Sequence, residues 1–151
     1  MPDNDNTLVL DTSQGLVTIA MRPDLAPTHV SRIKELVRQG FYDGVVFHRV
    51  IEGFMAQTGC PRGTGTGGSG KKLKAEFSAE KHVRGTVSMA RAQNPDSADS
   101  QFFICFADSP WLNGQYTVWG KVTAGMENVD KIKRGEPVSN PDRIISAKLA
   151  A

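Results

Sequence analysis

Cysteine is scarce in this sequence. Two residues in 151, Cys60 and Cys105, are too few for a disulfide framework, and neither has the CxxC partner of a zinc or redox site. An excess of one charge is also missing. Eighteen lysines and arginines face 16 acidic residues, a formal net charge of +2, too weak a field to hold nucleic acid or an anionic membrane surface. The one short basic cluster, Lys131, Lys133 and Arg134, falls where a helix is predicted to end and is accounted for by the helix dipole. No stretch approaches the roughly 18 apolar residues of a membrane span. The opening Met-Pro-Asp-Asn-Asp-Asn has neither the basic nor the apolar segment of a secretory signal. The three histidines, His29, His48 and His82, lack metal-ligand spacing, and there is no HExxH or GxSxG. What remains after these exclusions is a single cytoplasmic domain over residues 1–151, long enough to bury a core without disulfides or metals. Cys105, in an apolar run, reads as a small core side chain, and Cys60, between Gly59 and Pro61, as an exposed thiol without a role.

Short apolar runs are plentiful. Leu8 to Asp11 and Leu16 to Met21, separated by Thr12-Ser13-Gln14-Gly15, read as a hairpin, with Val17, Ile19 and Met21 on one face. Pro27 opens a predicted helix that Gly40 closes, its inner side carrying Val30, Ile33 and Val37. Strands are predicted at Val45 to Ile51, Phe54 to Thr58, Thr86 to Ala90, Gln101 to Cys105, Thr117 to Val122 and Arg143 to Leu149. A second helix is predicted over Met126 to Arg134, with Met126, Val129 and Ile132 inward. Strands in clusters, not alternating with helices, disfavour a doubly wound parallel sheet. Eight antiparallel strands can close into a barrel, with two helices to cap it. A barrel of that size is filled by its own side chains, so a ligand would bind outside, in a groove of strands and loops.

The segment Gly59 to Gly70 holds six glycines and satisfies GxGxxG twice. Gly65 to Gly70 followed by Lys71 also has P-loop spacing, but Lys72 stands where the magnesium-binding hydroxyl is required, and no clear helix follows. A surface loop using glycine's backbone freedom is the better reading. More informative is Phe47-His48-Arg49-Val50-Ile51-Glu52-Gly53-Phe54-Met55-Ala56-Gln57. On a strand, Arg49 and Ile51 point one way and His48 and Val50 the other. Arg49 then either stands at the edge of an apolar patch as a working cation or merely covers apolar neighbours with its stem. The segment alone leaves both open. His48 reads as a packed, hydrogen-bonded residue.

This segment resembles the cyclophilin signature FHR-(V/I)-I-x-G-F-M-x-Q. The resemblance continues in family order through Gly65-Thr66-Gly67-Gly68, Val87-Ser88-Met89-Ala90, Ser100-Gln101-Phe102-Phe103-Ile104-Cys105, Trp111-Leu112-Asn113-Gly114, Gly120-Lys121-Val122 and Gly125-Met126. It implies a mainly β fold, a closed eight-stranded antiparallel β-barrel capped by two α-helices. It further implies a peptidyl-prolyl cis-trans isomerase that assists folding, with no cofactor. Its partners would be proline-containing peptides and unfolded or flexible protein segments, with cyclosporin as an inhibitor and a monomer as the working unit. By matching position, Arg49 resembles the catalytic arginine. Phe54, Met55, Phe103 and Leu112 resemble the proline-pocket walls, and Gln57, Ala90, Ala92 and Gln101 the other substrate contacts. Trp111 matches the groove-edge tryptophan. Two positions depart. Arg91 replaces a common asparagine that contacts substrate mainly through its backbone, and Tyr116 replaces a histidine. Both bear on substrate preference more than on activity. A proline-binding module without useful catalysis is the rival reading, and an isomerisation assay separates the two.

Overall fold

Alternately apolar segments pair antiparallel into one sheet. In the computed structural model, which describes residues 6–149 except 64, 66 and 137, the strands are β1 (Thr7–Thr12), β2 (Gly15–Met21), β3 (Arg49–Ile51), β4 (Met55–Thr58), β5 (Thr86–Met89), β6 (Phe102–Cys105), β7 (Val118–Ala124) and β8 (Ile144–Leu149). Their order is β3-β4-β6-β5-β7-β2-β1-β8. The β1–β2 hairpin turns at Ser13-Gln14, with Thr12 opposite Gly15. There the Thr12 hydroxyl donates to the Gly15 carbonyl at 2.7 Å and accepts from the Gln14 amide at 3.1 Å. The Thr64 and Thr66 positions of the glycine-rich segment, and the first five residues of the opening peptide, lie outside the described residues.

The sheet curls as expected, but its seam is thin. β3 and β8 end the order, and among the described residues the chain just before each of them is joined by one bridge, Val46 to Arg143. Beside it, the Ile144 amide donates to Val45 O and the Phe47 amide to Asp142 O, both at 2.8 Å. The expected fully closed barrel is therefore a curled sheet stitched at one point. The predicted strand Val45 to Ile51 shortens for the same reason, because its backbone pairs with the irregular segment 135–142. Val138 N donates to His48 O at 3.2 Å, and Val50 and Gly135 exchange two bonds of 2.8 Å.

Helix α1 (Pro27–Arg38) starts on its proline without a local side-chain cap. Glu76 supplies one from afar, accepting from the Thr28 and His29 amides at 3.2 and 2.9 Å, which satisfies two orphan donors. At the other end Gly40 takes φ 73°, and the Gly40 and Phe41 amides return to Val37 O and Leu36 O, a Schellman closure. Helix α2 (Met126–Val129) is much shorter than predicted. Beyond it the Lys131 and Ile132 amides bond three residues back, Lys133 N turns to the Asp142 carboxylate, and Arg134 folds onto Asp130 O and Ile132 O. The basic cluster thus lies past the helix, where the dipole account does not apply. Among the described residues no helix is long and apolar enough to cross a membrane.

The period-2 alternation of strands gives two apolar clusters on opposite faces of the same strands. Inside the curl, Leu8, Leu10, Ile19, Val50, Ala56, Phe102, Ile104 and Trp119 belong to the main core. On the outer face, Met55, Phe103, Cys105 and Leu112 form a second cluster flanked by Ile51, Phe54, Ala90 and Tyr116. Cys105 is therefore buried as expected, but beneath the outer surface and not in the barrel interior, and burial pushes its thiol up to about 12.

Candidate active site

Strand register assembles the site. Arg49 pairs with Gln57 across β3–β4, Gln57 with Phe103 across β4–β6, and Phe103 with Ser88 across β6–β5. One row over four strands thus sets a guanidinium, an amide and an aromatic ring side by side. The next row, Ile51, Met55 and Cys105, supplies the apolar floor beside it. Phe54 leaves the tight turn between β3 and β4, where Gly53 takes φ 71°. Its ring meets Trp111 at 5.6 Å between centroids. Trp111 and Leu112 come from a 3₁₀ turn, Pro110–Leu112. Leu112 is buried against the outer cluster, while Trp111 is 60% exposed.

These residues enclose a cavity of about 320 Å³ lined by Arg49, Phe54, Met55, Gln57, Ala90, Arg91, Phe103, Trp111, Leu112 and Tyr116. Ten of the twelve sequence-predicted positions meet there. The other two, Ala92 and Gln101, line an adjoining cavity of about 280 Å³ with Lys72, Ser97, Asp99 and the glycine-rich loop. Gln57, Ala90 and Arg91 border both. Arg49 lines this cavity with its side chain 43% exposed, a position that fits both of its readings.

A one-way chain of hydrogen bonds holds this side of the cavity. Arg49 donates from Nη1 to Gln57 Oε1 at 3.3 Å. Gln57 Nε2 donates to Gln101 Oε1 at 3.0 Å, and Gln101 Nε2 to the carbonyls of Gly65 and Gly67 at 2.9 and 3.0 Å. Guanidinium only donates and carbonyl oxygen only accepts, so both glutamine amides have a single consistent orientation. On the opposite wall Arg91 lies 4.5 Å over the Tyr116 ring. Its guanidinium also donates to the carbonyls of Gln115, Ala92 and Gln93. Arg91 therefore clamps two loops together and stiffens the partition between the cavities.

Behind the pocket stands His82, which the sequence reading did not place there. Its ring stacks on Phe103 at 6.2 Å and meets Tyr116 edge-on at 6.4 Å. Nδ1 contacts Asn113 Oδ1 at 3.2 Å and Nε2 the Ser88 hydroxyl at 2.9 Å. Burial lowers its pKa, opposed by the Asn113 hydrogen bond, so the ring is neutral near pH 7 and supports the aromatic wall as an uncharged group. No spacing in the sequence announces it, since the three elements that hold it meet only through folding.

Two expectations, for Cys60 and His48, need correction. Cys60 is buried, its sulfur accepting from the Gly65 and Gly67 amides at 3.3 and 3.2 Å, because the loop folds back over it. His48 is packed, but neither ring nitrogen has a hydrogen-bond partner among the described residues, and burial, with Arg49 adding to it, lowers its pKa. Among its described residues the glycine-rich loop offers no phosphate cradle. The Ser69 and Gly70 amides are occupied by the Asp99 carboxylate at 2.8 and 3.1 Å, and no helix follows.

An outer-face apolar pocket on a curled eight-stranded antiparallel sheet, rimmed by an arginine–glutamine pair, defines the cyclophilin class. The comparisons agree. The family model described as cyclophilin type peptidyl-prolyl cis-trans isomerase/CLD matches residues 7–149, and the chain belongs to that family. A probable peptidyl-prolyl cis-trans isomerase of Brucella suis is 57% identical over 99% of this chain and 85% of its own length. The crystal structure of a cyclophilin from Hirschia baltica superposes with a TM-score of 0.90 at 29% identity, covering 97% of this chain and 74% of that one. A Cryptosporidium parvum cyclophilin type isomerase, crystallised in the presence of the dipeptide Ala-Pro, gives 0.89 at 28% identity over 96% and 99% of the two chains.

Proposed function

We propose that this chain performs its family's reaction, cis-trans rotation about X-Pro peptide bonds, in the 320 Å³ pocket, with Arg49 as the catalytic residue. The observation that carries this reading is the row Arg49–Gln57–Phe103, a permanent cation beside an apolar, aromatic-walled cavity. Rotation must overcome a barrier of about 18–20 kcal/mol, set by amide resonance. As the bond twists, the prolyl nitrogen becomes pyramidal and regains a lone pair. Arg49 donates a hydrogen bond to that nitrogen, an interaction the planar ground state does not offer. Five decades of acceleration require about 7 kcal/mol, and one preorganised donor supplies about 3–4 kcal/mol. The rest comes from seating the proline ring against Phe103, Met55 and Leu112 while Gln57 and the backbone around Ala90, Arg91 and Ala92 hold the flanking chain. No covalent bond is made, so neither a nucleophile nor a cofactor is needed.

The substrates are proline-containing segments of unfolded or flexible proteins, in keeping with the crystallisation of the Cryptosporidium parvum relative in the presence of the dipeptide Ala-Pro. The pocket is complete within one chain, which suits a working monomer. Both cysteines are buried thiols, which suits a reducing cytoplasm. Cyclosporin competes for the groove, with the exposed Trp111 indole as a donor at its edge. A protease-coupled assay on a proline tetrapeptide tests the reading. The wild-type chain accelerates isomerisation, and Arg49→Ala lowers kcat/KM by roughly 10²–10³, the loss expected for one transition-state donor. Arg49→Lys restores little, because an ammonium lacks the planar fork. Full activity in Arg49→Ala overturns the mechanism.

A further inference from the structure

Arg49 has a second anchor besides Gln57. Its Nε donates to Glu136 Oε2 at 3.0 Å. Glu136 lies 87 residues along the chain, yet its backbone is fixed next to β3. Its neighbour Gly135 exchanges two 2.8 Å bonds with Val50, and Val138 N donates to His48 O at 3.2 Å. The segment carrying Glu136 is thus tied to both residues that flank Arg49. One residue further out, Arg134 donates from Nε to Glu52 Oε2 at 2.6 Å, and its guanidinium lies 4.3 Å over the Phe106 ring, a further tie between this segment and the core. The carboxylate therefore stands on a held backbone and not on a loose loop.

Two anchors on a planar fork fix its plane. Glu136 takes Nε, and Gln57 takes one hydrogen of Nη1. The remaining N–H groups of Nη1 and Nη2 have no hydrogen-bond partner among the described residues, and Arg49 lines the pocket. Without Glu136 the side chain keeps only the 3.3 Å contact to Gln57, and the four rotatable bonds of a 43% exposed arginine spread its donors over many directions. A donor that must meet a lone pair existing only in the twisted state gains from being aimed beforehand.

We propose that Glu136 is a positioning residue for this reaction, holding the Arg49 guanidinium in the plane from which it meets the prolyl nitrogen. The proposal rests on Arg49 being the catalytic residue. Its contribution is kinetic, because a pair in which Glu136 is 57% exposed adds little to fold stability.

The test uses the tetrapeptide assay with kcat and KM resolved, thermal unfolding, and a set of variants. Glu136→Ala lowers kcat by about three- to tenfold, the range for one lost anchor on a half-exposed donor, with KM and Tm unchanged. Glu136→Gln, whose amide oxygen still accepts from Nε, recovers most of that loss. In an Arg49→Lys background Glu136→Ala has no further effect, because the Nε donor it aims is gone. Unchanged kcat in Glu136→Ala, or a loss that appears as a raised KM with a lowered Tm, overturns the positioning role. So does an equal loss in the Arg49→Lys background. Arg49→Ala measured alongside separates the two failures. If it retains full activity, the catalytic reading falls, whereas a large loss there with a silent Glu136→Ala removes the positioning role alone.

Discussion

Replacing Phe103 by alanine removes the ring at the centre of the pocket, and its two consequences can be told apart. Phe103 is 5% exposed, stacked on His82 at 21° between planes and edge-on to Tyr116 at 5.8 Å. Truncating a buried phenylalanine costs about 3–5 kcal/mol. Here the space left opens onto the groove, so water enters and the cost falls at the low end, about 3 kcal/mol. For a chain of this length each kcal/mol moves Tm by about 2–4 °C, which predicts a drop of roughly 6–12 °C. Binding loses separately. The three ring methylenes of proline are worth about 0.8 kcal/mol each when buried. If Phe103 covers half of that surface, the loss is about 1.2 kcal/mol, close to tenfold in Kd at 1.4 kcal/mol per decade. Catalysis falls further because the ring is no longer held still while the bond turns, so kcat/KM drops by about 10². The assay is calorimetric titration with a proline peptide well below the variant's Tm, beside the isomerisation assay. Phe103→Leu, which retains most of the volume, gives intermediate values in both. An unchanged Kd in folded Phe103→Ala would remove this residue from the pocket, however large the change in Tm.

Two further predictions follow from other parts of the molecule. Trp111→Phe keeps the ring beside Phe54 but deletes the indole donor, so cyclosporin inhibition weakens by about 1–2 kcal/mol while peptide turnover is nearly unchanged. Turnover that persists in the wild type at saturating cyclosporin, or equal inhibition of both proteins, rules out this role. His29, His48 and His82 all have pKa values held below the ordinary 6.5 chiefly by burial. The unfolded chain therefore takes up protons that the folded chain refuses, and the histidine contribution to stability falls as pH drops below about 6.5 and is flat above it. His48→Leu, which replaces a ring without partners among the described residues by an apolar side chain of similar size, flattens that decline in a plot of Tm against pH without lowering Tm at pH 7.5. An unaltered slope would show that His48 is not among the groups responsible.

The strands were legible because each carries its own alternation. β1, β2, β4 and β6 lie within two residues of where the apolar pattern places them, and α1 has its proline and glycine at the positions that start and stop it. The errors fall where partners come from distant chain. Val45 to Ile51 has the composition of a strand, but its amides are taken by a segment some 90 residues on, which has no alternation of its own. The α2 prediction ran on because Ile132 keeps the helical spacing and is indeed buried, although it is held by a turn. The pocket residues were visible as motif positions, and strand parity put Arg49 and Ile51 on one face without saying which face was outer. Glu136 and His82 carried no signal. One sits in a connection and the other in a loop held against β5, β6 and the loop after the 3₁₀ turn, and only the seam beside β3 and the closure over Phe103 bring them to the site.

The second apolar cluster has a consequence for how this sequence can vary. In β4 and β6 every residue is spoken for on one side or the other, Met55 and Phe103 outward, Ala56, Phe102 and Ile104 inward. On the inward face many side chains of suitable size can replace these, since that face asks mainly for volume and apolarity, whereas the outward face also serves the pocket. A single inserted or deleted residue is different in kind, because it turns every following side chain to the opposite face. Inserted before Gln57, it would drive the glutamine amide into the barrel interior and expose its neighbour in the same step. Substitution is therefore tolerated gradually along these strands, but their length is inherited whole, and the spacing from Arg49 to Gln57 is set by the geometry of two faces as much as by the chemistry of one.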